Sequence, residues 1–214
     1  MCPRKQKMTS GLDLSCRKRG PALDMKMILK PEKYTAYQKR LLLLADGDYV
    51  AARVLFYHGS FYPVVIRLLR EALEKYLKLL YLLLANVPDR EADGCLRAFN
   101  HHLGNVATKC AELANGDPRY TMVLTHPHFR SILKMSDQGK YETVTRYPAA
   151  FVVPGNIVDM FDHAIKNTRS DLLGVDDDPV DRVETWKDMP EWRSVDSATI
   201  RRAFHHANKR FPAI

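Results

Sequence analysis

No run of the roughly 18 apolar residues needed to cross a bilayer occurs in this chain. The longest uncharged stretches, Val54 to Ile66 and Tyr147 to Val158, are shorter and carry proline and glycine, so no membrane partner is expected. Cysteine is scarce: Cys2, Cys16, Cys95 and Cys110 are scattered without a Cys-x-x-Cys pair, which argues against a disulfide framework or a zinc knuckle. Behind the charged start Met-Cys-Pro-Arg-Lys-Gln-Lys no apolar run follows. A secretory signal is therefore not expected, and the cytoplasm is the expected location. Gly-rich phosphate loops, nucleophile elbows and zincin motifs are missing, as are period-2 strand patterns and internal repeats. His126 and His128 flank Pro127 with no carboxylate or cysteine at ligand spacing, which argues against a metal site. Asp176 to Asp178 lack the alternation of a calcium loop. No cofactor is expected.

What is present is a globular composition, 46% hydrophobic and 27% charged over 214 residues, enough for one substantial core plus extensions. The formal charge of +8 is unevenly placed. Arg4, Lys5, Lys7, Arg17, Lys18, Arg19, Lys26 and Lys30 face only Asp13 and Asp24 in residues 1–30, which leaves about +2 for the rest. A tail of this kind attracts nucleic acid through charge alone, or is simply a solvated, disordered extension. Met25 stands close to the first periodic segment and is an alternative start.

Apolar spacing predicts an all-α, single-domain fold with short accessory helices beside the main ones. Tyr34, Tyr37, Leu41, Leu44, Ala45, Tyr49, Ala52 and Phe56 line one face of a first helix over Pro31 to Tyr57. A second helix, Tyr62 to about Ala85, is apolar except for the stripe Arg67, Arg70, Glu71, Glu74, Lys75 and Lys78, so it should lie at the centre of the bundle. Asn86 to Gly94 reads as a loop, and Asn100 as the cap of a helix from His101 to Ala114 stopped by Asn115-Gly116-Asp117-Pro118. Short helices should fill Arg119 to Arg146, interrupted at His126-Pro127-His128 and near Gly139. Pro154 should open a helix running through Leu172, with Gly174 at its end. Residues 31–175 would thus form the bundle. Residues 176–195, acidic and carrying Trp186 and Trp192, read as an extended linker. Residues 196–214 read as a basic amphipathic helix from Ser197 to Lys209, with Ile200, Ala203, Phe204 and Ala207 buried.

The segments Ala45-Asp46-Gly47-Asp48-Tyr49-Val50-Ala51-Ala52-Arg53-Val54-Leu55, Gly59-Ser60-Phe61-Tyr62-Pro63 and Glu71-Ala72-Leu73-Glu74-Lys75-Tyr76-Leu77-Lys78 resemble the first two helices of the HEPN family. Ala72-Leu73-Glu74-Lys75-Tyr76-Leu77-Lys78 matches that family's Ala-x-Glu-Lys-x-x-Lys-type signature. His102-Leu103 and Thr145-Arg146-Tyr147-Pro148 fit beside it. The resemblance covers roughly Tyr34 to Leu173. It implies an up-and-down bundle of four to five main helices, commonly a homodimer, that binds RNA or nucleotide phosphate, acts as a metal-independent endoribonuclease of toxin type, or pairs with a nucleotidyltransferase-like partner protein. In this family the face of Glu74, Lys75 and Lys78 can border a binding groove.

Catalytic members carry Arg and His separated by four to six residues. Two pairs here have that spacing, with four residues between, Arg97 with His102 and, on the last helix, Arg201 with His206; Arg202 supplies the polar residue after the second Arg. Ala98 departs from the polar residue usual after the Arg. His would move the proton of a 2′-OH nucleophile, and Arg would stabilise phosphorane charge. On a helix, residues four apart nearly share a face, whereas residues five apart are turned by about 140°. That favours Arg201 with His205 and Arg202 with His206 as phosphate-facing pairs. The competing reading is a cationic solvent face on the last helix and a structural role for Arg97 and His102.

Overall fold

The computed structural model describes residues 31–59, 62–137, 155–184 and 196–211. All regular structure among them is helical, with no strand. A 3-10 turn, Pro31–Lys33, precedes α1 (Ala36–Tyr57) and α2 (Tyr62–Leu84). Then come α3 (Asp89–Arg97), α4 (Leu103–Leu113), α5 (Pro118–Leu124) and α6 (Pro127–Asp137). Beyond them lie α7 (Ile157–Asn167), α8 (Pro179–Glu184) and α9 (Ser197–His205). Among the described residues no helix is long and apolar enough to cross a membrane.

The first helix starts later than its apolar face does, because Thr35 takes the capping position. Its side chain accepts from the Gln38 N–H at 3.2 Å, and the Gln38 side chain accepts from the Thr35 N–H at 3.0 Å. α1 and α2 form an antiparallel hairpin, since Asp46 meets Tyr76 and Asp48 meets Lys75, and α7 lies antiparallel to α1, since Asp46 meets Arg169 and Arg53 meets Asp162. α2 is the central helix. Thirteen of its residues are buried, from Pro63 to Leu82, and α1, α4 and α7 pack around it. Every helix contributes buried side chains to one core.

Four stretches differ from their sequence expectation. The expected loop at Asn86 to Gly94 holds α3, because Ala92, Cys95 and Leu96 have helical spacing and are buried, outweighing the cost of Gly94. Asn100 does not cap the next helix: it has φ 44°, His101 has φ 61°, and His102 is the capping residue, without a side-chain cap bond. Within the expected extended segment, Pro179–Glu184 is helical and buries Val180 and Val183. The last helix stops at His205 rather than Lys209, since Ala207 adopts φ 52° and is exposed. Ala203 and Phe204 are buried as expected. The end of α7 widens into a π-turn, Thr168–Leu172, and Gly174 at φ 66° closes it. The basic tail, Gly139, Thr145 to Pro148, Pro154, Trp186 and Trp192 lie outside the described residues.

Candidate functional site

The polar stripe of α2 forms the helical pairs expected of its spacing, Arg67 with Glu71 at 3.3 Å and Lys78 with Glu74 at 2.6 Å. Its members then part company. Lys75 turns to Asp48 on α1. Glu74 turns inward, its side chain only 5% exposed. Around its carboxylate stand Lys78, the Arg70 guanidinium at 3.7 Å and Nδ1 of His101 at 2.9 Å. Its Oε2 has no hydrogen-bond partner. Burial pushes the Glu74 carboxyl up, but the hydrogen bond and charge of Lys78, with His101 and Arg70, outweigh it and hold the group below its ordinary value.

His101 reaches Glu74 because the turn from α3 to α4 is folded sharply. Asn100 and His101 are consecutive non-glycine residues in the left-handed region, a conformation that costs roughly 1–2 kcal/mol per residue, less for Asn. Tertiary contacts hold it: Arg70 Nη2 donates to the His101 carbonyl at 2.5 Å, and Arg70 Nε donates to Ser136 Oγ at 3.1 Å. A carboxylate only accepts, so Nδ1 of His101 carries the proton and Nε2 is the acceptor of the neutral ring. The side chain is 79% exposed. A buried acid thus orients an imidazole whose other nitrogen faces solvent, the geometry of an oriented general base.

His102, the histidine singled out by spacing, is exposed and makes no cap bond with its side chain. Arg97 ends α3 and is exposed. The structure therefore brings Glu74 and Lys78 together with His101 and Arg70, and leaves Lys75 and His102 out of the cluster.

On α9 the two expected pairs have separate fates. Arg201 bonds Asp181 at 2.8 Å, and His205 is held at both ring nitrogens, by the Phe211 carbonyl at 2.7 Å and Asp178 at 3.0 Å. These two residues tie α9 to the acidic segment before and within α8. Arg202 and His206 stay exposed. The His206 ring packs edge-on to Tyr57, 4.9 Å between centroids, and Tyr57 in turn meets His58 at 5.0 Å.

No protein-family model, curated protein or solved structure matches the chain. Its residues alone carry the functional reading.

Sequence reasoning missed the buried charges on α1 and α7. Asp46 and Arg53 on α1 meet Arg169 and Asp162 respectively, at 3.0 and 3.1 Å, with all four side chains at most 2% exposed. Tyr76 donates to Asp46, and Tyr49 donates to Asp162 at 2.8 Å. Asn208 donates to Tyr49 at 3.1 Å, and Arg53 donates to the carbonyls of Phe204 and His206. Burial pushes the Asp46 carboxyl up and the Asp162 carboxyl up to about 6, against the pull of their arginines. The available signal was a pair of charges seven residues apart on an apolar face of each helix. Among the described residues no group of His, Cys, Asp or Glu is placed to hold a metal ion.

Proposed function

We propose that this chain is a HEPN-like helical-bundle protein that binds RNA or a nucleotide phosphate, with its contact surface built around His101, Glu74, Lys78 and Arg70. The observation that carries this reading is the excess of cationic groups over the one buried carboxylate. Lys78 and Arg70 already outnumber Glu74, and His101 adds a largely exposed donor at the rim. Such an edge favours a phosphate. Support also comes from the Glu74-Lys75 signature on the central helix and from the exposed Arg97 at the end of α3, just before the turn that carries His101. Strain at Asn100 and His101 fits a functional turn.

A second reading, a metal-independent endoribonuclease, is favoured by one specific feature: Glu74 orients His101 with Nε2 outward. In that reading Nε2 takes the proton of the 2′-OH as its oxygen attacks the adjacent phosphorus. The 5′-oxygen leaves and takes its proton from solvent water, and Arg97 stabilises the phosphorane.

The deciding experiment is binding of a fluorescent single-stranded RNA followed by anisotropy at 50 and 200 mM salt, with a parallel cleavage assay in EDTA. Affinity that falls steeply with salt, and is weakened at least tenfold by a His101→Ala, Lys78→Ala double variant, is the expected result. Absence of measurable binding at 50 mM salt would sink the proposal.

A further inference from the structure

Away from these surfaces, three histidines from two elements converge. His126 ends the turn before α6, His128 is the second residue of α6, and His163 lies in the middle of α7. The His126 and His163 rings stack at 3.9 Å with 26° between planes, and His128 lies 5.0 Å from the first and 5.2 Å from the second. All three are half-buried.

The bonds of His126 and His163 suit neutral rings only. Nδ1 of His126 accepts the backbone N–H of His128 at 3.2 Å, a bond that a protonated Nδ1 cannot make. Nδ1 of His163 faces the Asn167 amide nitrogen at 3.5 Å, again a donor. His126 and His128 also sit at the first turn of α6, the positive end of its dipole. The charged groups facing the triad are Arg210 from the segment after α9 and Asp159 from α7. Only Asp159 opposes protonation's cost. Burial, then His126, Arg210 and His128, push His163 down to about 4, and burial, His128 and Arg210 lower His126.

We propose that the His126, His128 and His163 cluster is an acid-sensitive latch that holds α6 against α7 while the His126 and His163 rings are neutral and releases it when those two take up protons. α6 also carries Ser136, which holds Arg70 beside Glu74 and His101. Release would therefore reach the candidate site, although the latch itself stands whether or not that site binds RNA.

The sign follows from linkage. A histidine whose folded pKa is depressed destabilises the fold as pH drops through the unfolded value of about 6.5, and the loss levels off below the folded value. The test is urea unfolding of the full chain between pH 7.5 and 4.5 for wild type and His163→Phe, which keeps a stacking ring without a titrating nitrogen. Between pH 7 and 5 the wild-type unfolding constant should rise roughly tenfold more than that of the variant, a figure discounted for solvent screening of half-exposed rings. The ring signals of wild-type His163, followed by NMR, should remain those of a neutral ring at pH 5.5, which decides the matter should the variant fail to fold. Parallel pH profiles for the two proteins, or ring signals titrating near 6.5, would overturn the latch.

Discussion

Arg53 on α1 and Asp162 on α7 face each other at 3.1 Å with their side chains 1% and 2% exposed. They lie 109 positions apart in sequence, and helix packing is what removes both from water. Next to them Asp46 and Arg169 repeat the contact with the charges exchanged between the two helices. Because each helix carries one acid and one base seven residues apart, only one axial register of α1 against α7 satisfies both pairs. A shift by one turn would bury four unpaired charges.

Replacing Arg53 by Met leaves Asp162 buried without its cation and should cost about 3–5 kcal/mol in urea unfolding. The double variant Arg53→Met, Asp162→Leu should recover most of that loss, since both charges leave together. Equal losses in single and double variants would show that shape, not charge, governs this contact.

The Asp162 carboxyl should titrate near 6 when followed by 13C NMR. Its folded value is raised, so its contribution to stability is complete below the unfolded value of about 3.9 and is lost as pH rises through about 6. That dependence runs opposite to the one expected of its neighbour His163. A midpoint near 4 would mean that Arg53 overcomes burial.

Glu74 behaves in the other sense. Its folded value is depressed, so its stabilising effect is present above the unfolded value of about 4.3 and fades as pH falls through the folded value. Glu74→Gln should destabilise the protein by about 1–3 kcal/mol at pH 7, and the difference should shrink by pH 3. A difference independent of pH would count against the ion-pair cluster.

Single substitutions distinguish the histidines if RNA is cleaved in EDTA. His101→Ala should abolish cleavage, whereas His102→Ala should retain it, because only His101 is oriented by Glu74. Loss confined to His206→Ala would move the chemistry to the end of α9, beside Arg202 and Tyr57.

Ala207 adopts φ 52° on the surface. A left-handed alanine costs roughly 1–2 kcal/mol, and glycine returns part of the gain through its freer unfolded chain. Ala207→Gly should therefore stabilise by roughly 0.5–1 kcal/mol, read as a rise in thermal midpoint.

Local pattern exposed much of the scaffold. Periodicity located α1 and α2 within a few residues, and the near-continuous apolar surface of α2 announced its central position. Asn115, Gly116 and Gly174 marked helix ends, and all three have positive φ. α3 escaped notice because Gly94 and the preceding proline and aspartates read as a loop, although Asp89 accepts hydrogen bonds from Thr35 and Tyr37, and Asp93 accepts one from Tyr37, at the start of α1. His205 and Arg201 looked like a cationic surface, yet Asp178 and Asp181 come to meet them through the packing of α8 against α9. Spacing favoured His102; a strained turn instead presents His101 to Glu74.

By itself the sequence determined the helical class, the central helix and the i,i+4 pairs of α2, because these depend on neighbours one helical turn apart. Tertiary structure alone decided which charges are buried, which histidine meets Glu74, and that His126, His128 and His163 share one stack. Those outcomes depend on which distant helix faces each residue and at what axial register, and such information is spread over the whole core rather than held in any local pattern.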